Sequence, residues 1–279
     1  MKKVIWIVLG FLTIALIVLF IKVFPFLKFM NQYEVAEYDK NLTLVMGGGG
    51  NSAILIGEKE VLVVESKISS GKDKLYALVK EKAGSKSILL VNTHFHSDHA
   101  GGNELYKGNT IIAGAYTRED WIAENGDLGI PTEWIKEKKE IQIGNETVIL
   151  QNIGQAHTRN DMIVYFKNRK MIFMGDLLMI GLHPFLKEKD GSRIANYLEK
   201  QNKILQEYEI EKVIPGHGPI GGKELIQTFQ TYFFDTKTAA EGKSDLKQVE
   251  EKYKDWVSFL SMASTEATVN YWKKELAVK

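Results

Sequence analysis

Cysteine is absent from the 279 residues, which excludes disulfides and thiolate metal ligands together. That absence suits either side of a bacterial membrane and chooses no compartment. Net charge is also scarce: 36 Lys+Arg oppose 35 Asp+Glu, leaving +1. No global basic field argues for nucleic acid, and no acidic tail is present. No G-x-S-x-G occurs, so no serine nucleophile elbow is expected. The glycine run at 47–50 lacks the Lys-Ser/Thr of a phosphate loop, and no helix signal follows it. No fixed-period repeat or low-complexity segment stands out. Apolar residues at 44% and charged residues at 25% are the ordinary globular balance. The length allows one large core, or one domain with an appendage.

The one long uncharged run lies at the N-terminus. Val4–Ile21 has no charge and follows Lys2-Lys3; as a helix it would rise ~27 Å, enough for the hydrocarbon layer. A cleaved signal has a shorter apolar core and an Ala-x-Ala-like site, whereas the chain continues with bulky KVFPFLKFMNQYE. Residues 1–30 are therefore expected to be an uncleaved transmembrane anchor, with a cleaved signal as the alternative. Lys2 and Lys3 before the run nearly balance Lys22 and Lys28 after it. An inside N-terminus with the remainder extracytoplasmic (periplasm or cell exterior) is the preferred orientation.

Residues 31–41 are polar and read as a linker, opening a domain that runs to 222. Leu42–Met46 and Ala53–Ile56 are strands joined by a Gly47–Asn51 turn. Val61–Val64, a helix over Lys72–Lys82 stopped by Gly84, and Ile88–Val91 form a βαβ unit with parallel strands. Further strands are expected at Thr110–Ala113, Ile141–Ile143, Val148–Ile153, Met162–Phe166, Met171–Met174 and Val213–Ile214. Helices are expected at Tyr116–Glu124 and Ile194–Tyr208. From 223 to 279 the pattern is helical only. Leu246, Val249, Tyr253, Trp256 and Leu260 repeat at three and four, an amphipathic stripe that should pack on the main domain.

The chain has six histidines, and three fall within NTHFHSDHAGGN, at 94, 96 and 99, beside Asp98. A solvated polar loop accounts poorly for that concentration, whereas imidazole with carboxylate is the ligand chemistry of a divalent cation. The cluster follows a parallel strand, at the edge where ligands bind in such sheets. His157 in GQAHTRND, Asp176 in FMGDLL and His217 in IPGHGP also follow strands, so strand ends would bring them together. His183 in GLHPF reads as a structural histidine in a proline-bounded turn, with substrate contact as the alternative.

The residues THFHSDH, AHT, GD and GHG, in this order and spacing, resemble the metallo-β-lactamase superfamily over roughly Asn41–Gly222. The resemblance implies an α/β fold, the four-layer αβ/βα sandwich, with the site at one edge. It implies one metal held by His94, His96 and His157, and a second by Asp98, His99 and His217, with Asp176 bridging the two. Iron-using members resemble H-x-E-x-D at the first motif; His96 stands where they have Glu, which favours Zn2+, two per chain, with manganese and iron not excluded. Glu65 in VVES departs from the family's aspartate there, and Arg159-Asn160 replaces a small residue.

The expected function is dinuclear zinc-dependent hydrolysis of a small-molecule substrate with an activated carbonyl: thioester, lactone or β-lactam. A metal-bridging hydroxide would attack, and Asp98 would orient it or accept its proton. A β-lactamase proper of the all-His/Asp type is the nearest alternative. A glyoxalase-II-like thioesterase is another, although the C-terminal helices show no basic cluster for a glutathione carboxylate. The alternative of another class is a non-catalytic, metal-stabilised membrane protein presenting those helices to a partner.

Overall fold

The computed structural model of the chain describes residues 2–277. After helix α1 (Lys2–Asn31), strands β1 (Tyr33–Glu37), β2 (Leu42–Gly47), β3 (Ser52–Ile56), β4 (Glu60–Val64), β5 (Ser87–Val91), β6 (Thr110–Gly114) and β7 (Glu133–Ile135) form one sheet in chain order. Its first half is antiparallel, and β4 through β7 are parallel. Helix α2 (Ser69–Ala83) is the crossover between β4 and β5, confirming the βαβ unit. The second sheet runs in the order β12 (Lys212–Ile214), β11 (Met171–Phe173), β10 (Asp161–Phe166), β9 (Glu146–Gly154), β8 (Lys138–Ile143).

Why these strands read as unbroken apolar runs follows from the layers. Along β4, Leu62 and Val64 join the core between the sheets, while Val61 and Val63 join the core beneath α2. Along β10, Met162, Val164 and Phe166 face the inter-sheet core. Ile163 and Tyr165 of the same strand face helix α5 (Ile194–Glu207) and its neighbours. Successive side chains point to opposite faces, and both faces are covered. The result is the helix–sheet–sheet–helix sandwich. Helices α6 (Glu224–Ala240), α7 (Leu246–Lys252) and α8 (Thr265–Ala277) share the outer core with α5 through Phe229, Phe233, Val249 and Trp272.

Four expectations are corrected. The segment 31–41 is not all linker: β1 pairs antiparallel with β2 at the sheet edge. An edge strand needs one partner only, so its polar residues left no strand signal; Glu37 there pairs with Lys82 at 2.7 Å. The stripe from Leu246 to Leu260 is not one helix. α7 ends at Lys252, and Tyr253 and Trp256 still reach the core from the following turns. Leu260 adopts φ 50° instead. Residues 133–135, for which no strand is expected from sequence, form β7. The helix expected from Tyr116, α4 (Arg118–Asn125), begins two residues later, where the Thr117 hydroxyl accepts the Asp120 N–H at 3.0 Å.

The N-terminal helix runs ten residues past the uncharged stretch, to Asn31. Among the described residues it holds the one window long and apolar enough to cross a membrane, Leu12–Asn31, with mean hydropathy 2.2 and no buried residue.

Candidate metal centre

The four loops that carry the predicted ligands leave strands of both sheets, one from the first and three from the second, and converge between them. His94 and His96 follow β5, and Asp98 and His99 lie in α3 (Ser97–Ala100). His157 follows β9, Asp176 is in the single 3-10 turn after β11, and His217 follows β12. All seven side chains meet. Ligand atoms of His94, His96, His157 and Asp176 lie within 4.8 Å of one another, as do those of Asp98, His99, Asp176 and His217. Asp176 belongs to both groups: Oδ2 is 3.4 Å from His157 Nε2, while Oδ1 is 3.1 Å from His99 Nε2 and 3.4 Å from His217 Nε2.

The donor set fits a cation. His157 Nε2 faces His96 Nδ1 at 2.9 Å, and His99 Nε2 faces His217 Nε2 at 3.3 Å. These ring nitrogens stand against the Asp98 and Asp176 carboxylates rather than against apolar groups. His94 Nε2 and Asp176 Oδ1 are buried without a hydrogen bond, which is costly unless something else satisfies them. Protonation behaviour reports the same demand for positive charge. Burial opposes charging His217, yet Asp176 and Asp98 push its pKa up to about 9. They also raise His99 well above the usual histidine range against the same burial. Burial dominates at the other end, lowering His157 to about 3 and His94 well below its ordinary value.

A ring of buried groups sets the ligand orientations. Glu65 Oε1 accepts the Thr93 N–H at 3.1 Å and lies 3.4 Å from His99 Nδ1; its hydroxyl neighbour Thr93 reaches His94 Nδ1 at 3.1 Å. Glu65 itself adopts an unusual backbone conformation, φ 63°. Tyr197 on α5 places its hydroxyl 2.6 Å from His157 Nδ1, and Asp190 Oδ2 lies 3.2 Å from His96 Nε2. Asp161 accepts the N–H groups of Ala156, His157 and Thr158 and the Thr158 hydroxyl, fixing the loop that carries His157. Tyr197, Asp190 and Asp161 were not identified from sequence. Asp161 accepts from N–H groups three to five residues before it, a pattern that no local turn signature flags. Tyr197 and Asp190 gave no signal, being one aromatic in a helix and one acid in a charged run. Partners of this kind typically change metal affinity by about 10–100-fold. Tyr197→Phe should weaken metal binding within that range, read by titration against a fluorescent chelator.

The glycine run is a packed wall. Gly50 N–H donates to Asp98 C=O at 2.9 Å, and Asn51 donates its side-chain amide to Pro215 and Gly218 carbonyls at 2.9 Å each. A Cβ on Gly50 would lie 2.3 Å from His99 Cε1, so Gly50→Ala must displace that ring. Overpacking of this kind costs about 1–3 kcal/mol. Thermal unfolding of the variant should show that loss, and equilibrium dialysis should show weakened metal retention. Lys67 beneath the turn is fully buried and donates to Val45 and Gly50 carbonyls at 3.0 and 2.6 Å, and to that of Gly47. Burial lowers its pKa to about 7 against the attraction of Glu65 and Asp98. His183 lies away from the ligands: it is buried, 3.0 Å from the Tyr232 hydroxyl and packed on Trp256. Arg159 pairs with Asp120 at 2.6 Å on the surface.

A cavity of about 220 Å3 opens onto the cluster. Its lining combines the ligand residues His96, Asp98, His157, Asp176 and His217 with apolar Met179, Leu182 and Phe185 and charged Lys187 and Glu124. Phe26 and Met30 of α1 line it as well.

Comparison with known proteins bears on the fold and the family. The chain is 27% identical over 183 residues to the human acyl-coenzyme A thioesterase MBLAC2, covering 55% of this chain and 64% of that one. The chain thus spans under two thirds of that relative's length. It is 24% identical to the metallo-beta-lactamase IND-1 of Chryseobacterium indologenes, over 62% of this chain and 74% of the relative. In three dimensions it superposes on a metallo-beta-lactamase from Pontibacter korlensis with TM-score 0.63 and 20% identity, covering 72% of this chain and 98% of that one. The family model described as the metallo-beta-lactamase superfamily matches residues 46–217. With that match spanning more than half of its length, the chain belongs to the metallo-beta-lactamase superfamily.

Proposed function

We propose that this protein is a membrane-anchored dinuclear metallohydrolase, with zinc as the metal, that cleaves activated acyl compounds, acyl thioesters first among them. The observation that carries the reading is the pair of converging ligand groups joined through Asp176. His94, His96 and His157 would hold one ion, and Asp98, His99 and His217 the other, with Asp176 shared. When bound, such a pair supplies a water acidified to a pKa of about 7 and a Lewis acid for the carbonyl oxygen.

The chain's own groups supply the rest. Asp98 is the ligand residue most open to the cavity, at 26% side-chain exposure, and its Oδ2 lies 3.1 Å from His217 Nε2. It is placed to orient the attacking water and take its proton. Water oxygen bonds to the acyl carbon, the carbon–sulfur bond breaks, and the proton passes to the departing thiolate, giving acid and thiol. A thiol with a pKa of about 8.5 leaves as the anion near neutrality without a general acid. The apolar lining of Met179, Leu182 and Phe185 suits an acyl chain.

A β-lactam substrate is the second reading, favoured by the longer coverage of the Chryseobacterium lactamase. One experiment separates them: the zinc-loaded full chain in detergent is assayed with butyryl and palmitoyl thioesters and with a chromogenic cephalosporin, with and without chelator. Chelator-sensitive thioester turnover is expected. Cephalosporin turnover alone would transfer the assignment to β-lactams, and no turnover of any by a two-metal protein would contradict it. We further propose that α1 crosses the membrane with its N-terminus inside, leaving the catalytic domain outside, testable by protease protection in oriented vesicles.

A further inference from the structure

We infer that the acyl substrate reaches the cavity from the lipid bilayer, its chain lying along the last turns of α1. The chemistry rests on the hydrolase reading above; the route rests on separate observations. One side of the catalytic cavity is built from the end of the anchor helix rather than from the sandwich. Phe26 and Met30 are four residues apart, hence on one helical face, and both line the cavity. The contact is specific. The Phe26 ring lies 4.4 Å from that of Phe259 and 5.7 Å from that of Phe185, centroid to centroid. Phe29 lies 6.5 Å from the His217 ring, and Gly49 N–H donates to the Met30 carbonyl at 3.2 Å. The helix end is thus docked on the loops that carry the ligands.

A few residues earlier the same helix is bare. Trp6, Leu12, Leu16, Phe20, Ile21 and Phe24 are all exposed, and a helix apolar all round belongs in a bilayer. The uncharged run ends at Ile21, where Lys22 and then Lys28 can place ammonium groups among lipid head groups. Pro25 cannot donate to the Ile21 carbonyl, which favours a polar surrounding at this level. From Ile21 to Met30 the helix rises only ~14 Å, so the cavity lies close to the hydrocarbon boundary, within reach of a long acyl chain.

A second apolar element stands beside the anchor helix. The hairpin closed by Phe259 N–H to Ala263 C=O at 2.9 Å presents Leu260 and Met262 to solvent, at 39% and 54% exposure. Leu260 is held at φ 50°, a left-handed conformation that a leucine rarely adopts. Its neighbour Phe259 is the residue that packs on Phe26, so this apolar tip stands beside the anchor. The cavity itself, about 220 Å3, is smaller than the roughly 300–1,000 Å3 of ordinary ligand sites. It holds the reacting carbonyl and the first part of a chain, and the remainder must lie outside, along α1. The polar end of the substrate then faces Lys187 and Glu124. These features describe an amphiphile with one long chain.

The test uses the full chain, zinc-loaded, in phosphatidylcholine vesicles containing a non-hydrolysable palmitoyl thioether with a diazirine at the chain end. After illumination, label is expected on residues 23–30 and on the segments holding Phe185 or Phe259. Label confined to the span 4–21 would overturn the proposal, because ordinary lipid contact gives that pattern. In parallel, kcat/KM for the palmitoyl thioester should exceed that for the butyryl thioester by about tenfold or more. Phe26→Ala, and less strongly Phe26→Leu, should lower that ratio toward one at unchanged metal content. An unchanged ratio in both variants overturns the route. Label at 23–30 without turnover of any thioester supports the route and contradicts the hydrolase reading; turnover without such label does the reverse.

Discussion

Asp176→Asn should lower kcat/KM by at least ~10^3-fold, about 4 kcal/mol of transition-state stabilisation. No other ligand side chain is shared between the two groups, with Oδ2 toward His157 and Oδ1 toward His99 and His217. Its carboxylate is held far below the ordinary range: burial would raise the pKa, but the charges of His99 and His217 outweigh it. The amide keeps the shape and loses the anion, so two cations would face each other with less charge between them. Metal content should fall from about two ions per chain to one or fewer. Asp190→Asn is the informative comparison. That residue touches only the outward nitrogen of His96, so its loss should cost about 10–100-fold and leave two ions at saturating metal. Equal losses in the two variants would contradict the bridging role.

Removal of metal should destabilise the fold measurably. A ligand present at about 1,000 times its dissociation constant contributes about 4 kcal/mol to stability. For a domain of this size each kcal/mol moves Tm by about 2–4 °C, so chelation should lower Tm by about 8–16 °C. The physical source is the packing of carboxylates and imidazoles in one dry place. His94, His99, His157 and Asp176 are each 6% exposed or less, and uncompensated polar groups at such depth are costly. Differential scanning calorimetry of the detergent-solubilised chain, with and without chelator and after zinc is restored, measures it. A Tm indifferent to chelator would place the ions outside the fold's stability.

Much of the centre was legible because its residues are rare and local. Three of six histidines fall within residues 94–99, and a strand before each remaining ligand placed it at a strand end. The buried strands were legible because period-2 packing on two cores demands unbroken apolar runs, as in β4 and β10. What the sequence concealed lies elsewhere. β1 is a polar edge strand, and α7 gives way to turns that keep Tyr253 and Trp256 in register with the core. Tyr197 and Asp190 act on His157 and His96 from 40 and 94 residues away, a distance no local pattern carries. The docking of Phe26 against Phe185 and Phe259 is equally invisible from periodicity, since an apolar helix reads the same whether lipid or protein touches it.

The most direct measurement of the central claim is zinc content per chain of the intact protein, by plasma mass spectrometry, for wild type and for His217→Ala. About two ions in the wild type and about one in the variant are predicted, since His217 belongs to one ligand group only. Fewer than one ion per wild-type chain, after reconstitution with excess zinc, would contradict a dinuclear centre.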